Sequence, residues 1–227
     1  VDGFADRIDA GRQLAAGLES LRGEEGLVVV GLARGGVPVA CEVALALEAP
    51  LDVLVVRKIG VPDQPEVAMG AIGEGGVVVV NEELVSAMHI TKAQFALIEK
   101  REQDELEHRV RRYRQDRAPV PLEGRTVVIV DDGIATGSTA RAACQVARAR
   151  GAARVVLAVP VAAAQAMEDL RSYVDELVSL DVADGPFAVG QFYEEFDQTL
   201  DEEVSLCLDR ANHRSPNGGN AVPVSRA

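Results

Sequence analysis

Residues 127–139 read Val127-Val128-Ile129-Val130-Asp131-Asp132-Gly133-Ile134-Ala135-Thr136-Gly137-Ser138-Thr139. The consecutive β-branched residues predict a buried strand, and the Ala, Arg and Gln that dominate 140–149 predict a helix. The turn between them therefore sits at a helix N-terminus, where unpaired backbone N–H groups and the positive end of the dipole suit a phosphate dianion. Ala135, Thr136, Gly137, Ser138 and Thr139 make up that turn, and its hydroxyls add donors. Carboxylates repel phosphate, so Asp131 and Asp132 must face what lies beyond it: vicinal ribose hydroxyls, or a Mg2+ ion held through its water. A turn that merely capped its helix would need one acid and no such run of hydroxyls.

At 227 residues and 48% hydrophobic content, the chain can bury one core of about 180–200 residues, a single domain with an appendage. A formal charge of −13, from 23 Lys and Arg against 36 Asp and Glu, argues against a general nucleic-acid binder. The acids are concentrated, because 168–209 holds 13 of them against one base, Arg171. Cys41, Cys144 and Cys207 stand apart with no C-x-x-C, the pattern of packed, reduced thiols in a cytoplasmic protein. His89, His108 and His213 form no ligand set. There is no apolar run of transmembrane length and no charged-then-apolar leader, so neither a membrane nor export is expected.

Strand and helix signals alternate along the chain. Phe4, Ile8, Leu14, Leu18 and Leu21 fall near one helical stripe; 27–32 reads as a buried strand, 37–47 as a helix and 51–56 as a strand. Short strands are expected at 67–72 and 77–80, on either side of a Gly73-Glu74-Gly75-Gly76 turn. A long helix follows, opened by a capping box of Thr91 and Gln94 and closed by Pro119 and Pro121. Strand 127–130, a helix to 150, strand 155–159, helix 162–171 and strand 174–180 complete the alternation. That order predicts an α/β fold, a parallel sheet flanked by helices on both faces. Residues 212–227, rich in Asn, Gly, Ser and Pro, are expected to form a disordered tail.

In an open α/β sheet, ligands bind at the carboxyl ends of the strands, so the loops after 32, 56, 130 and 159 should share one rim. Gly31-Leu32-Ala33-Arg34-Gly35-Gly36 offers close backbone approach and one guanidinium for an oxyanion, without the spacing of a nucleotide-binding glycine loop. Arg57-Lys58 ends the next strand and precedes Ile59-Gly60-Val61-Pro62-Asp63-Gln64-Pro65-Glu66, a stretch punctuated as a mobile lid would be. The two cations read either as a solvated pair or as partners of a diphosphate.

Together these residues resemble the type I phosphoribosyltransferases. In that family an apolar strand, two acids, three variable residues and Thr-Gly-x-Thr form the loop that binds phosphoribosyl pyrophosphate (PRPP), and 127–139 meets every fixed position. Arg34-Gly35-Gly36 is similar to the family's pyrophosphate loop, and Arg57-Lys58 with the residues after it to its flexible catalytic loop. More narrowly, Arg57-Lys58-x-Gly60-x-Pro62, Pro65-Glu66-x-Ala68-x-Gly70-Ala71 and Phe187-Ala188-Val189-Gly190-x-Phe192-Tyr193 resemble a bacterial group of unassigned acceptor.

The resemblance implies a type I fold over 1–211, with a helical insertion at 82–118 and a small C-terminal hood at 181–200. It implies displacement of pyrophosphate from Mg-PRPP by a nitrogenous acceptor, a nucleobase or related planar heterocycle. Arg57, Lys58, Asp131 and Asp132 would be catalytic; Ala135 to Thr139 would hold the 5-phosphate, and Arg34, Gly35 and Gly36 the pyrophosphate. Mg2+ would be the cofactor, held by Asp131 and Asp132 through water. Phe187, Phe192 and Tyr193 would either stack on the acceptor or pack within the hood. Glu66 would accept a proton or pair with Arg57 or Lys58. Ala135 stands where 6-oxopurine members carry an aspartate, which points away from hypoxanthine and guanine. The acidic 168–209 segment would favour a neutral or cationic acceptor.

The arginines at 109–117 read as cations complementing a helix C-terminus on a solvated or subunit-facing surface, as in a homodimer, or as a nucleic-acid patch. The competing functional class is a non-catalytic PRPP- or nucleotide-sensing regulator, which need not keep Arg34, Arg57 and Lys58.

Overall fold

A computed structural model describes residues 3–115 and 117–213, the side chain of Glu66 excepted. The strands in chain order are β1 (Leu27–Leu32), β2 (Leu51–Leu54), β3 (Val56–Val61), β4 (Gln64–Gly73), β5 (Val77–Val80), β6 (Thr126–Val130), β7 (Arg154–Ala163) and β8 (Glu176–Ala183). The helices are α1 (Arg7–Gly17), α2 (Gly36–Leu47), α3 (Glu82–Ala87), α4 (Lys92–Arg114), α5 (Ser138–Ala149), α6 (Ala164–Leu170) and α7 (Asp201–Asn212). Five strands pair in parallel in the order β2-β1-β6-β7-β8, and β3-β4-β5 form a separate antiparallel sheet.

The apolar runs of the central strands follow from burial on both faces. Val29, Val128 and Val156 point into a core shared with Leu14 of α1, Val39 and Val43 of α2 and Leu208 of α7. Their neighbours Val28, Val127, Ile129 and Leu157 point the other way, onto Ala143 and Val146 of α5 and Leu170 of α6. Helix α5 also packs against β3, β4 and β5, so it is held between the two sheets. No helix among the described residues is long and apolar enough to cross a membrane.

Several boundaries depart from the sequence expectation. The strand expected at 51–56 ends at Leu54, and Val56 opens the second sheet. The stretch expected to be an open lid is the hairpin of β3 and β4, closed by Pro62 and a left-handed Asp63. Ile59, Val61 and Met69 are buried there, an alternation masked by the Gly and Pro between them. Strand β7 runs on to Ala163 because β8 pairs with it as far as Ala183, so the segment expected as hood begins as a strand. Phe4 leaves the helical stripe to bridge Tyr193, and Ile8 is 39% exposed.

The C-terminal helix α7 was hidden by its charge. Val204, Leu208 and Ala211 form its buried face, its first turn carries Asp201, Glu202 and Glu203, and α2 lies against it. Asn212, expected to begin the tail, closes this helix and exchanges two hydrogen bonds with the backbone of Leu51, at 3.2 and 2.9 Å. The remainder of the expected tail, 214–227, lies outside the described residues. Helices α3 and α4 fall within 82–118, and the Thr91–Gln94 capping box opens α4.

At the end of α4, Arg111 and Arg112 are exposed cations as its composition suggests, and Arg114 is the exception. Arg114 is 4% exposed; it bonds Asp52 of β2 at 3.0 and 3.1 Å and Glu74, at the β4–β5 turn, at 2.5 and 3.1 Å. Asp52 also accepts the Val120 N–H at 2.8 Å, so one cluster joins both sheets and the insertion. Removing the cation would strand two buried carboxylates. Arg114→Met is therefore expected to cost about 3–5 kcal/mol of stability in urea unfolding, whereas Arg109→Met, at an exposed pair, should cost under about 1 kcal/mol.

Candidate active site

Gly31 of β1 stands opposite Val130 of β6, which sets the loop 33–36 beside Asp131 and Asp132. The glycines of that loop are needed for contact as well as for any ligand. A Cβ on Gly36 would lie 2.6 Å from the Val130 carbonyl oxygen, and one on Gly35 would lie 2.1 Å from Asp132 Oδ2. The loop can close on the acids only because both side chains are absent.

Burial pushes the Asp131 carboxyl well above the usual carboxylate range, and the neighbouring charge of Asp132 adds to the shift. Asp131 Oδ1 accepts the Asp132 N–H at 2.9 Å. Burial raises Asp132 as well, opposed by Arg7. Arg7 Nε donates to Asp132 Oδ2 at 2.9 Å and Nη1 to the Asp197 carbonyl at 2.7 Å, while the guanidinium lies 3.9 Å from the Phe196 ring centre. Arg7 is 125 positions from Asp132 and belongs to no motif, so sequence reading missed it. Two carboxylates facing one guanidinium are left to bind hydroxyl donors or a cation. Among the described residues no group of three or more His, Cys, Asp or Glu could hold a metal ion.

Ala135, Thr136 and Thr139 are exposed along the turn, Gly137 is left-handed at φ 73°, and α5 starts at Ser138. No side chain caps the helix, so its leading N–H groups face the cleft unclaimed by a side chain. Thr136 and Ser138 hydroxyls lie 3.5 Å apart.

The expected cations are distributed differently. Arg34 pairs with Asp201 of α7 at 3.3 Å. Arg57, expected opposite the pyrophosphate, donates from Nε and Nη2 to one oxygen of Glu102 of α4, Oε2, at 2.9 and 2.6 Å. Lys58 borders the cavity over the turn 136–138, and it also lines, with Arg57, Ala33 and Thr139, a second cavity on the α4 side of the hairpin. Glu66 lies in β4, and its side chain is outside the described residues.

In the hood, Phe187 and Phe192 meet edge to face at 5.1 Å. Of the two readings of Tyr193, packing holds: it is 7% exposed, packed on Phe4 and Phe196, and its hydroxyl donates to the Asp132 carbonyl at 2.6 Å. The acidic segment is paired in part, at positions outside 181–200. Asp201 pairs with Arg34 and Arg112, Asp209 with Arg117, Asp175 with Arg148 and Glu176 with Arg154. The same pairs, with the burial of Arg114, occupy much of the arginine run that had suggested a nucleic-acid patch.

Residues 5–197 match the family model described as the phosphoribosyl transferase domain. Two curated Mycobacterium tuberculosis proteins, Rv0571c of strain H37Rv and MT0597 of strain CDC 1551, carry the phosphoribosyl transferase name provisionally. Each is 56% identical to this chain over 209 residues, 92% of the chain and 47% of the relative. The chain thus spans about half the length of the curated relatives it matches. The crystal structure of TT1426 from Thermus thermophilus is similar with a TM-score of 0.84 and 44% identity, over 91% of this chain and 97% of that one. The family match runs from the start of α1, which supplies Arg7, through the acid pair and phosphate turn to the hood, and the chain belongs to the phosphoribosyl transferase domain family.

Proposed function

We propose that this domain is an enzyme that displaces pyrophosphate from Mg-PRPP with a nitrogenous planar acceptor, a nucleobase or related heterocycle, in the cytoplasm. The observation that carries this reading is the β1–β6 register, which sets a glycine loop with its arginine beside an acid pair that leads into a phosphate turn. The 5-phosphate would take the N–H groups at the start of α5 and the hydroxyls of Thr136, Ser138 and Thr139. Asp131 and Asp132 would accept the ribose 2- and 3-hydroxyls, exchanging a poorly solvated pair of charges for hydrogen-bonded ones.

Breaking the C1–oxygen bond builds positive charge on the ribose and negative charge on the diphosphate, so these residues act by position and electrostatics. The acid pair lies on the side of the developing cation. Arg34 and Lys58 would face the leaving oxygens. Mg2+ bound to the diphosphate supplies further neutralisation of those oxygens. Arg34 can leave Asp201 at little cost, because Asp201 keeps Arg112. Arg57 would fix the hairpin on α4 and so set the place of Lys58. Phe187 and Phe192 remain the hood aromatics available to an acceptor.

The deciding experiment incubates the protein with Mg2+, PRPP and a panel of neutral and carboxylated nitrogen heterocycles, reading pyrophosphate release; turnover with none would remove the catalytic reading. Two variants separate binding from chemistry. Thr136→Val with Thr139→Val should weaken PRPP by about 1–3 kcal/mol per lost charged hydrogen bond in calorimetry, with the melting temperature little changed. Lys58→Ala should lower kcat more than it raises the KM for PRPP, since its interaction strengthens as the diphosphate gains charge; a change in KM alone would assign it to ground-state binding.

A further inference from the structure

A cavity of about 650 Å³, bordered by Lys58, opens over the turn 136–138. Its floor is Thr136, Gly137 and Ser138, and Arg141 and Gln145 continue it along one face of α5. The opposite wall is apolar, built from Val79 and Val80 of β5. That volume belongs to sites for whole small molecules, about 300–1,000 Å³, and far exceeds what one phosphorus and four oxygens need. A site made only for a terminal 5-phosphate would leave most of it unused.

Arg141 is the second observation. It is half-buried in the cavity wall with its guanidinium 5.5 Å from the Tyr173 ring centre. Among the described residues its guanidinium makes no hydrogen bond or ion pair, although those of Arg7, Arg34, Arg57 and Arg114 are all matched to carboxylates. A guanidinium with its five N–H donors unclaimed, steadied by a ring and one helical turn from a phosphate site, is suited to a second phosphate. The acids of this region, Glu82, Glu83 and Asp169, are exposed at the mouth, where they would accept hydroxyls and not meet phosphate.

We infer that the cavity is a subsite for the remainder of a ligand whose ribose 5-phosphate is itself esterified, of the nucleoside 5-diphosphoribose class, with Arg141 on the second phosphate and the nucleoside between Tyr173 and the valine wall. This rests on the reading of 135–139 as a ribose 5-phosphate site. The apolar surface at Val79 and Val80 suits the face of a base, and the exposed acids suit the second ribose.

The test titrates ribose 5-phosphate, PRPP and ADP-ribose into the full chain by calorimetry. ADP-ribose should bind at least about tenfold more tightly than ribose 5-phosphate, a gain of about 1.4 kcal/mol. Arg141→Met should remove that gain while leaving ribose 5-phosphate within about twofold of wild type, and Arg141→Lys should recover part of it. Thr136→Val with Thr139→Val should weaken all three ligands. Equal affinity of the wild type for ADP-ribose and ribose 5-phosphate would overturn the subsite, as would equal losses for both in Arg141→Met. Failure of ribose 5-phosphate and PRPP to bind at all would instead overturn the reading of the turn, and the subsite with it.

Discussion

Two carboxylates side by side at the end of a buried strand are the arrangement that the surrounding structure must accommodate. Each is poorly solvated and each raises the cost of ionising the other, so their shared cleft needs donors or cations. The protein supplies one guanidinium, from the first turn of α1, and holds it by the Phe196 ring and the Asp197 carbonyl. Tyr193 then fixes the Asp132 backbone from the hood, and the backbone of Phe4 pairs with that of Phe192 at 2.8 Å. The two ends of the domain are brought together around this pair. One Arg against two acids leaves a deficit of positive charge and donors that a polyhydroxylated, cation-bearing ligand can fill.

Charge segregation along the chain works in the same way at larger scale. An acidic final third and an arginine-rich helix look like two surface fields in sequence, yet in the fold they face one another. Asp201 and Asp209 of α7 meet Arg34, Arg112 and Arg117, and most of these side chains stay partly in water, so each pair adds little alone. Arg114 is different because its partners are buried with it. It fixes where α4 ends, and the exposed pairs then decide which face of α7 looks toward the cleft.

The parts of this fold that sequence could supply are those in which cause and effect are close in the chain. An apolar strand, two acids and a glycine-centred turn lie within thirteen residues, and local backbone chemistry is enough to read them as a candidate phosphate site. The parallel sheet followed from strands apolar on both faces. Arg7 did not follow, since nothing near it marks it as a partner of Asp132. The β3–β4 hairpin was hidden because Gly60, Pro62 and Pro65 read as breaks, although Ile59, Val61 and Met69 carry the period of a buried strand. Helix α7 was hidden because its acids outweighed three apolar residues at helical spacing. Tyr193 read as either a ligand-facing or a packed aromatic until its hydroxyl found a backbone carbonyl, which is how a buried phenol is usually satisfied.

The hairpin also changes how the two cations after β2 can act. On the strand the two differ in reach: both line a cavity with Ala33 and Thr139, and Lys58 alone also borders the cavity over the turn 136–138. Arg57 is spent on Glu102, which anchors the hairpin to the insertion, and Lys58 borders the phosphate turn. Opening or closing of this unit would therefore move as one piece, hairpin and α4 together, since parting them means breaking a doubly hydrogen-bonded pair whose carboxylate is buried. For a ligand held at 135–139, the position of α4 then governs how closely Lys58 approaches, and a helix that touches no substrate becomes part of the geometry of the cleft.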